Sequence, residues 1–171
     1  MLGPIFLRHL ALAALMLCAP GTAFAAPPAA IAVGKALILF PVSVLKTKDM
    51  DFGFLSVAAT AGTAVLEPNA DTLSTTGGVT AIGGAPHSAE FAGSALSSAV
   101  VNIKLPNRAT LTRVGGTETM IADQFTNDGQ PKRILAKAQS FTFRVGATLN
   151  VSANQAEGTY VGTFDVTVQY P

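Results

Sequence analysis

The sequence predicts an all-β fold, a β-sandwich with Greek-key connections. Three observations predict it. Residues 141–151 alternate with a period of two, residues 160–170 do the same, and turn residues punctuate each shorter apolar run between the leader and those stretches. Only Arg133 to Ala138 has helix-favouring composition, and six residues make a marginal helix. A closed barrel is the alternative; an outer-membrane barrel would need longer and more regular strands throughout.

The chain opens with a secretory pattern. Arg8 and His9 precede the apolar stretch Leu10 to Ala19, and Ala23-Phe24-Ala25 places small residues where a signal peptidase reads them. Cleavage is therefore expected after Ala25. The apolar run is too short to span a bilayer, and Pro20-Gly21 breaks it. Leu17 before Cys18 argues against a lipoprotein. Removing 25 of the 171 residues leaves 146, with ten basic residues, ten acidic ones and no cysteine. The expectation is one exported domain, residues 26–171, without a disulfide option and with no later membrane span.

Strands are expected in order at 31–39, 50–57, 62–67, 88–92, 99–105, 109–114 and 118–121. Pro68-Asn69, Gly77-Gly78, Gly83-Gly84, Pro106-Asn107, Gly115-Gly116 and Asp128-Gly129 separate them. The glycines of 77–84 read as a flexible connection, since no Lys-Ser/Thr follows to make a phosphate loop. From Phe141 to Val151 the odd positions are Phe, Phe, Val, Ala, Leu and Val, which marks a strand with one buried face. From Tyr160 to Tyr170 the apolar residues fall on even positions. Residues 154–158 then suggest a hairpin joining these two strands.

Composition narrows the chemistry. Charged residues are 12% of the chain, about half the usual share, and no basic block offers a nucleic-acid footprint. The mature chain keeps one histidine, His87, with no Gly-x-Ser-x-Gly elbow to support a triad. Asp49 and Asp51 flank Met50 as a solvated pair. Asp123, Asn127 and Asp128 miss the spacing of a calcium loop, and Asp128-Gly129 is turn chemistry. Asn150-Val151-Ser152 matches a glycosylation sequon, a weak signal. No catalytic, cofactor or metal site is expected.

The C-terminus carries a resemblance. Tyr170 is penultimate, Gly158 is the fourteenth residue from the end, and alternating apolar residues fill the interval. This resembles the C-terminal signature of chaperone–usher pilus (fimbrial) subunits. The resemblance implies an immunoglobulin-like sandwich lacking one strand, held first by a periplasmic chaperone and later completed by a neighbour's N-terminal segment at an outer-membrane usher. Such a fold has an unpaired edge and an open apolar groove. On this resemblance Gly158, Tyr160 and Tyr170 are candidate assembly residues, with Phe164, Val166 and Val168 lining the groove. Residues 26–40 are either the donor segment or an ordinary first strand, with Ile31, Val33, Leu37 and Leu39 on one face and Gly34 as a close-approach point. The absence of a cysteine in the mature chain departs from the pilus pattern.

Residues 31–171 also resemble the exported bacterial 4402 family of domains of unknown function. Asp51-Phe52-Gly53, Glu90-Phe91-Ala92-Gly93, Val145 to Leu149 and Gly158-Thr159-Tyr160 through Tyr170 carry that likeness. Together these readings imply a non-enzymatic structural subunit of the periplasm, cell surface or fimbrium, forming a homopolymer by strand donation. The alternative is a self-contained secreted β-sandwich binding module.

Overall fold

The computed structural model describes residues 33–38, 40–135 and 140–171. The expected leader, residues 1–25, lies outside the described residues, as do Ile31 and Leu39. The chain divides into two units, Met1–Leu37 and Ile38–Pro171. In the first, the described residues 33–37 form no strand and are exposed. The expectation of a strand at 31–39 is corrected there: residues 33–38 are outside any strand, and the first strand begins at Ser43.

The second unit is all-β and antiparallel, with no helix among the described residues. Its strands are β1 (Ser43–Lys48), β2 (Phe54–Leu66), β3 (Leu73–Gly83), β4 (Ala89–Ser94), β5 (Val100–Lys104), β6 (Arg108–Arg113), β7 (Thr119–Asn127), β8 (Lys132–Ile134), β9 (Ser140–Val151), β10 (Tyr160–Val161) and β11 (Thr167–Gln169). Arg133 and Ile134, expected in a short helix, form β8 against β5. Pairing with a neighbouring strand outweighs a six-residue helix propensity.

The spine is β9. One of its edges takes β4 along residues 140–145 and β2 along 148–151. The other takes β7, followed outward by β6 and β10. The odd row from Phe143 to Val151 is buried, as its alternation predicts. Gly146 and Thr148 on the opposite face are buried as well. The β2–β3 turn lies on them: a Cβ on Gly146 would meet the Leu66 carbonyl oxygen at 2.1 Å. One-sided burial is thus corrected at the centre of this strand.

The first half of the unit is a single two-stranded ribbon. It pairs Ser43 with Ser94 at its open end and Leu66 with Leu73 at the turn, with an Asp51–His87 bridge between. Asp71 in the turn accepts bonds from the Ser88 N–H at 2.8 Å and the Ser88 Oγ at 2.6 Å. The turn therefore returns to the residue beside the bridge. The 13 residues of β2 would span roughly 40 Å if straight, so the ribbon folds back. The corner sits where the register passes from Val57–Val79 to Gly62–Gly77, bulging residues 58–61. Backbones touch there: a Cβ on Gly62 or Gly78 would stand 2.1 Å from a carbonyl oxygen of the partner strand. Of the glycines expected to be a flexible connection, Gly77 and Gly78 sit at this corner, while Gly83 and Gly84 lie at the far end of β3 against Phe54 and Gly53. Beyond it, Leu55, Val57 and Val79 cover the same core as Ala64, Leu66 and Leu149.

A small sheet, β11-β5-β8, covers the rest. Ile103 joins Ala89, Phe91, Phe143 and Val145 in a second cluster, against which Phe164, Val166 and Val168 pack. Phe91 stacks on Phe143 with ring centroids 5.1 Å apart. The expected hairpin between 141–151 and 160–170 does not form. β10 pairs with β6, β11 pairs with β5, and residues 162–166 pass between the two sheets outside any strand.

Candidate functional site

The first and last strands are both edges. β1 ends the large sheet and β11 ends the small one. Partners across an antiparallel ladder share a face, so Val44 lies on the side of Gly93 and Lys46 on the side of Phe91. Gly93 and Phe91 are buried, yet Val44 is 39% exposed and Lys46 is also exposed. The core-facing row of β1 is therefore only partly covered. All six residues of β1 escape full burial on both faces.

The far edge of the small sheet, β8, reaches the spine, where Arg133 Nη1 donates to the Thr142 carbonyl at 3.0 Å and the guanidinium lies 5.8 Å from the Phe143 ring centroid. β11 is thus the edge on the β1 side. Just past it, the Tyr170 hydroxyl donates to the Phe40 carbonyl and accepts from the Leu96 N–H, both at 2.9 Å. Val42, Val168 and Tyr170 pack on one small cluster, Ala95, Val101 and Leu135. Among the described strands, β1 and β11 thus each present a strand edge, and Val42 ahead of β1 packs with Val168 and Tyr170.

The sequence-derived residues fall in three places. Phe164, Val166 and Val168 are half-buried on the core, with Phe164 centred 5.0 Å from Phe125 of β7, across the spine from β4 and β1. Tyr170, the residue after β11, is tied to Phe40 and Leu96. Gly158 and Tyr160 lie apart, beside β6. Gly158 has φ +144°, and a Cβ there would meet the Arg113 Cδ at 2.9 Å. The Tyr160 hydroxyl donates to the Ala156 carbonyl and accepts from Gln155 Nε2, both at 2.8 Å. Val33, Gly34 and Leu37 are exposed and outside any strand. Val44 and Lys46 were not among the expected residues. Their signal was a weak alternation of Val42, Val44 and Lys46 with Ser43, Leu45 and Thr47.

The polar residues build structure. Asp71 is held by Ser88 and by Arg144 Nη1 at 3.3 Å, while Arg144 Nη2 donates to Glu90 at 2.7 Å. The Ser88 hydroxyl, then its amide, hold the Asp71 carboxyl below its usual range against a smaller opposing effect of burial. His87 and Asp51 exchange backbone bonds at 2.9 Å, and the Ser88 hydroxyl is committed to Asp71 rather than to His87. Asp49 pairs with Lys46, and Asp128 pairs with Arg133 at 2.6 Å. Asn150, in the sequon, lies in β9 and donates to the Ile121 carbonyl at 3.3 Å. Among the described residues no group of three or more His, Cys, Asp or Glu side chains converges, and no helix is long and apolar enough to cross a membrane.

No curated protein and no solved structure matches this chain. One family profile does, over residues 42–170, which runs from the threshold of β1 to Tyr170. The chain belongs to the family described as domain of unknown function (DUF4402).

Proposed function

We propose that this protein is an exported, non-enzymatic structural subunit of the periplasm, cell surface or a fimbrium, completed by a strand donated from a neighbouring chain. The observation that carries the reading is the partly exposed core-facing row of edge strand β1, Val44 and Lys46, together with the edge position of β11. An extended segment entering there gains backbone bonds from the edge and places alternate side chains against the core. The chain also has a segment to offer in turn. Val33, Leu37, Ile38 and Phe40 are 74–94% exposed ahead of β1. A periplasmic chaperone and an outer-membrane usher are the partners this reading requires.

The test uses the mature protein with and without a peptide of residues 26–40, or with that segment fused after Pro171 by a flexible linker. Strand acceptance raises the melting temperature, lowers hydrophobic-dye binding and protects the amides of β1 and β11 from exchange. A second reading, the self-contained binding module, draws on the seating of Phe164, Val166 and Val168 on the core. It expects a cooperative monomer that neither peptide nor fusion changes.

A further inference from the structure

We propose that the outer edge of β3 is a self-association surface: a second copy of this chain lays its own β3 alongside, antiparallel and centred on Thr75, so that the large sheet continues across a two-fold axis. The inference stands apart from strand donation, which concerns β1 and β11. Among the described residues β3 pairs with β2 alone, which leaves its other edge without a strand. Natural edge strands are kept from indiscriminate pairing by shortness, charge, proline or a bulge. The other strands that end a sheet here carry such devices. β8, β10 and β11 are two or three residues long, and β8 contains Lys132 and Arg133. β1 contains Lys46 and Lys48, with a shift of register between them. β3 has 11 residues, with neither charge nor proline from Leu73 to Gly83. Its register with β2 is unbroken from Leu73 to Gly77, the arm that precedes the corner.

That arm is complementary to itself. Residues that face each other in an antiparallel pair either both exchange backbone bonds or both point theirs away. Two identical strands therefore meet with one residue facing its own copy, and the centre of this arm is Thr75. Ser74 then faces Thr76 of the second copy on both sides of the axis. Both side chains are exposed, and Thr–Thr and Ser–Thr neighbours across strands are favourable. The chain already makes such a pair one strand inward, where the Thr63 and Thr76 hydroxyls lie 2.7 Å apart. No like charges meet, and one two-fold contact satisfies the edges of both copies at once.

The experiment measures the mass of the whole mature protein in solution by sedimentation over a range of concentrations. Wild type shows a monomer–dimer equilibrium. Ser74→Lys with Thr76→Lys sets lysine against lysine across the axis and weakens the dimer at least about fivefold. Ser74→Lys with Thr76→Glu sets opposite charges face to face and retains it. Melting temperatures of the dilute monomers confirm that both double variants fold. Thr75→Cys gives a second readout, because the chain after Ala25 has no cysteine. Facing residues have Cα atoms about 4.5–5.5 Å apart, within disulfide reach, so mild oxidation crosslinks Thr75→Cys into dimers much faster than Thr47→Cys on β1. A wild type that stays monomeric at every concentration overturns the proposal. So does association that both double variants leave unchanged or weaken equally, or crosslinking at Thr75→Cys no faster than at Thr47→Cys. None of these results bears on whether residues 26–40 are accepted elsewhere, so strand donation stands or falls separately.

Discussion

The Tyr170 hydroxyl donates to the carbonyl of Phe40, 130 positions earlier in the chain, and the same oxygen accepts from Leu96 N–H. One phenol thus ties the end of the chain to the threshold of β1 and to the segment after β4. The penultimate aromatic has a structural occupation whether or not a partner also reads it.

Tyr170→Phe keeps the ring and removes both bonds. Each is worth about 1 kcal/mol net, and the Leu96 amide loses its acceptor, so a loss of about 1–2 kcal/mol is expected in denaturant unfolding. Faster amide exchange at Leu96 should accompany it. An unchanged midpoint would mean that water replaces the phenol at no cost.

Gly158 is explained by the same kind of accounting. Its φ of +144° disfavours any other residue, and an added Cβ would stand 2.9 Å from the Arg113 side chain. Gly158→Ala is therefore expected to destabilise the isolated protein by about 1–2 kcal/mol, without any partner present. Full stability combined with lost assembly would instead make Gly158 a recognition residue.

Asp71 sets a pH dependence. Its folded pKa lies below the unfolded value near 3.9, so its contribution is present above that value and is lost as pH falls through the folded pKa. Asp71→Asn tolerates the positive φ of 52° at this position but loses the charge that Ser88 and Arg144 bind. Urea midpoints should show the variant about 1–2 kcal/mol less stable at pH 7. The gap should narrow below about pH 4 as wild type protonates. A constant gap from pH 7 to pH 3 would assign the effect to shape rather than charge.

The alternation was legible where it reports which way side chains face, and misleading where it was read as strand partnership. Residues 160–170 keep their inward row, Phe164, Val166, Val168 and Tyr170, although the backbone changes sheets on the way. Facing is local, whereas the choice of partner belongs to the whole fold. The spine read correctly because its odd row is buried along its length, while burial of Gly146 depended on a turn some 80 residues away. β1 left almost no mark. A strand exposed on both faces has no burial pattern to write into the sequence, so the edge that carries the proposed function was the hardest element to see.

The fold-back corner gives the sharpest prediction about architecture. Gly78 has no unusual φ, so its need for glycine rests on space alone: an added Cβ would stand 2.1 Å from the Thr60 carbonyl oxygen, which is backbone and cannot swing away. Gly78→Ala must push β2 and β3 apart at the bulge where the ribbon reverses. The layer of Leu55, Val57 and Val79 would then lift from the core that Val79 now seals at 4% exposure. A loss of about 2–4 kcal/mol is expected, with new proteolytic cleavage in residues 54–60 before global unfolding. Gly34→Ala is the matched control, because nothing lies within 4 Å of its added Cβ, and it should change stability by less than about 0.5 kcal/mol. Similar small effects from both substitutions would mean that the two strands do not touch at Gly78 and that the corner is held some other way.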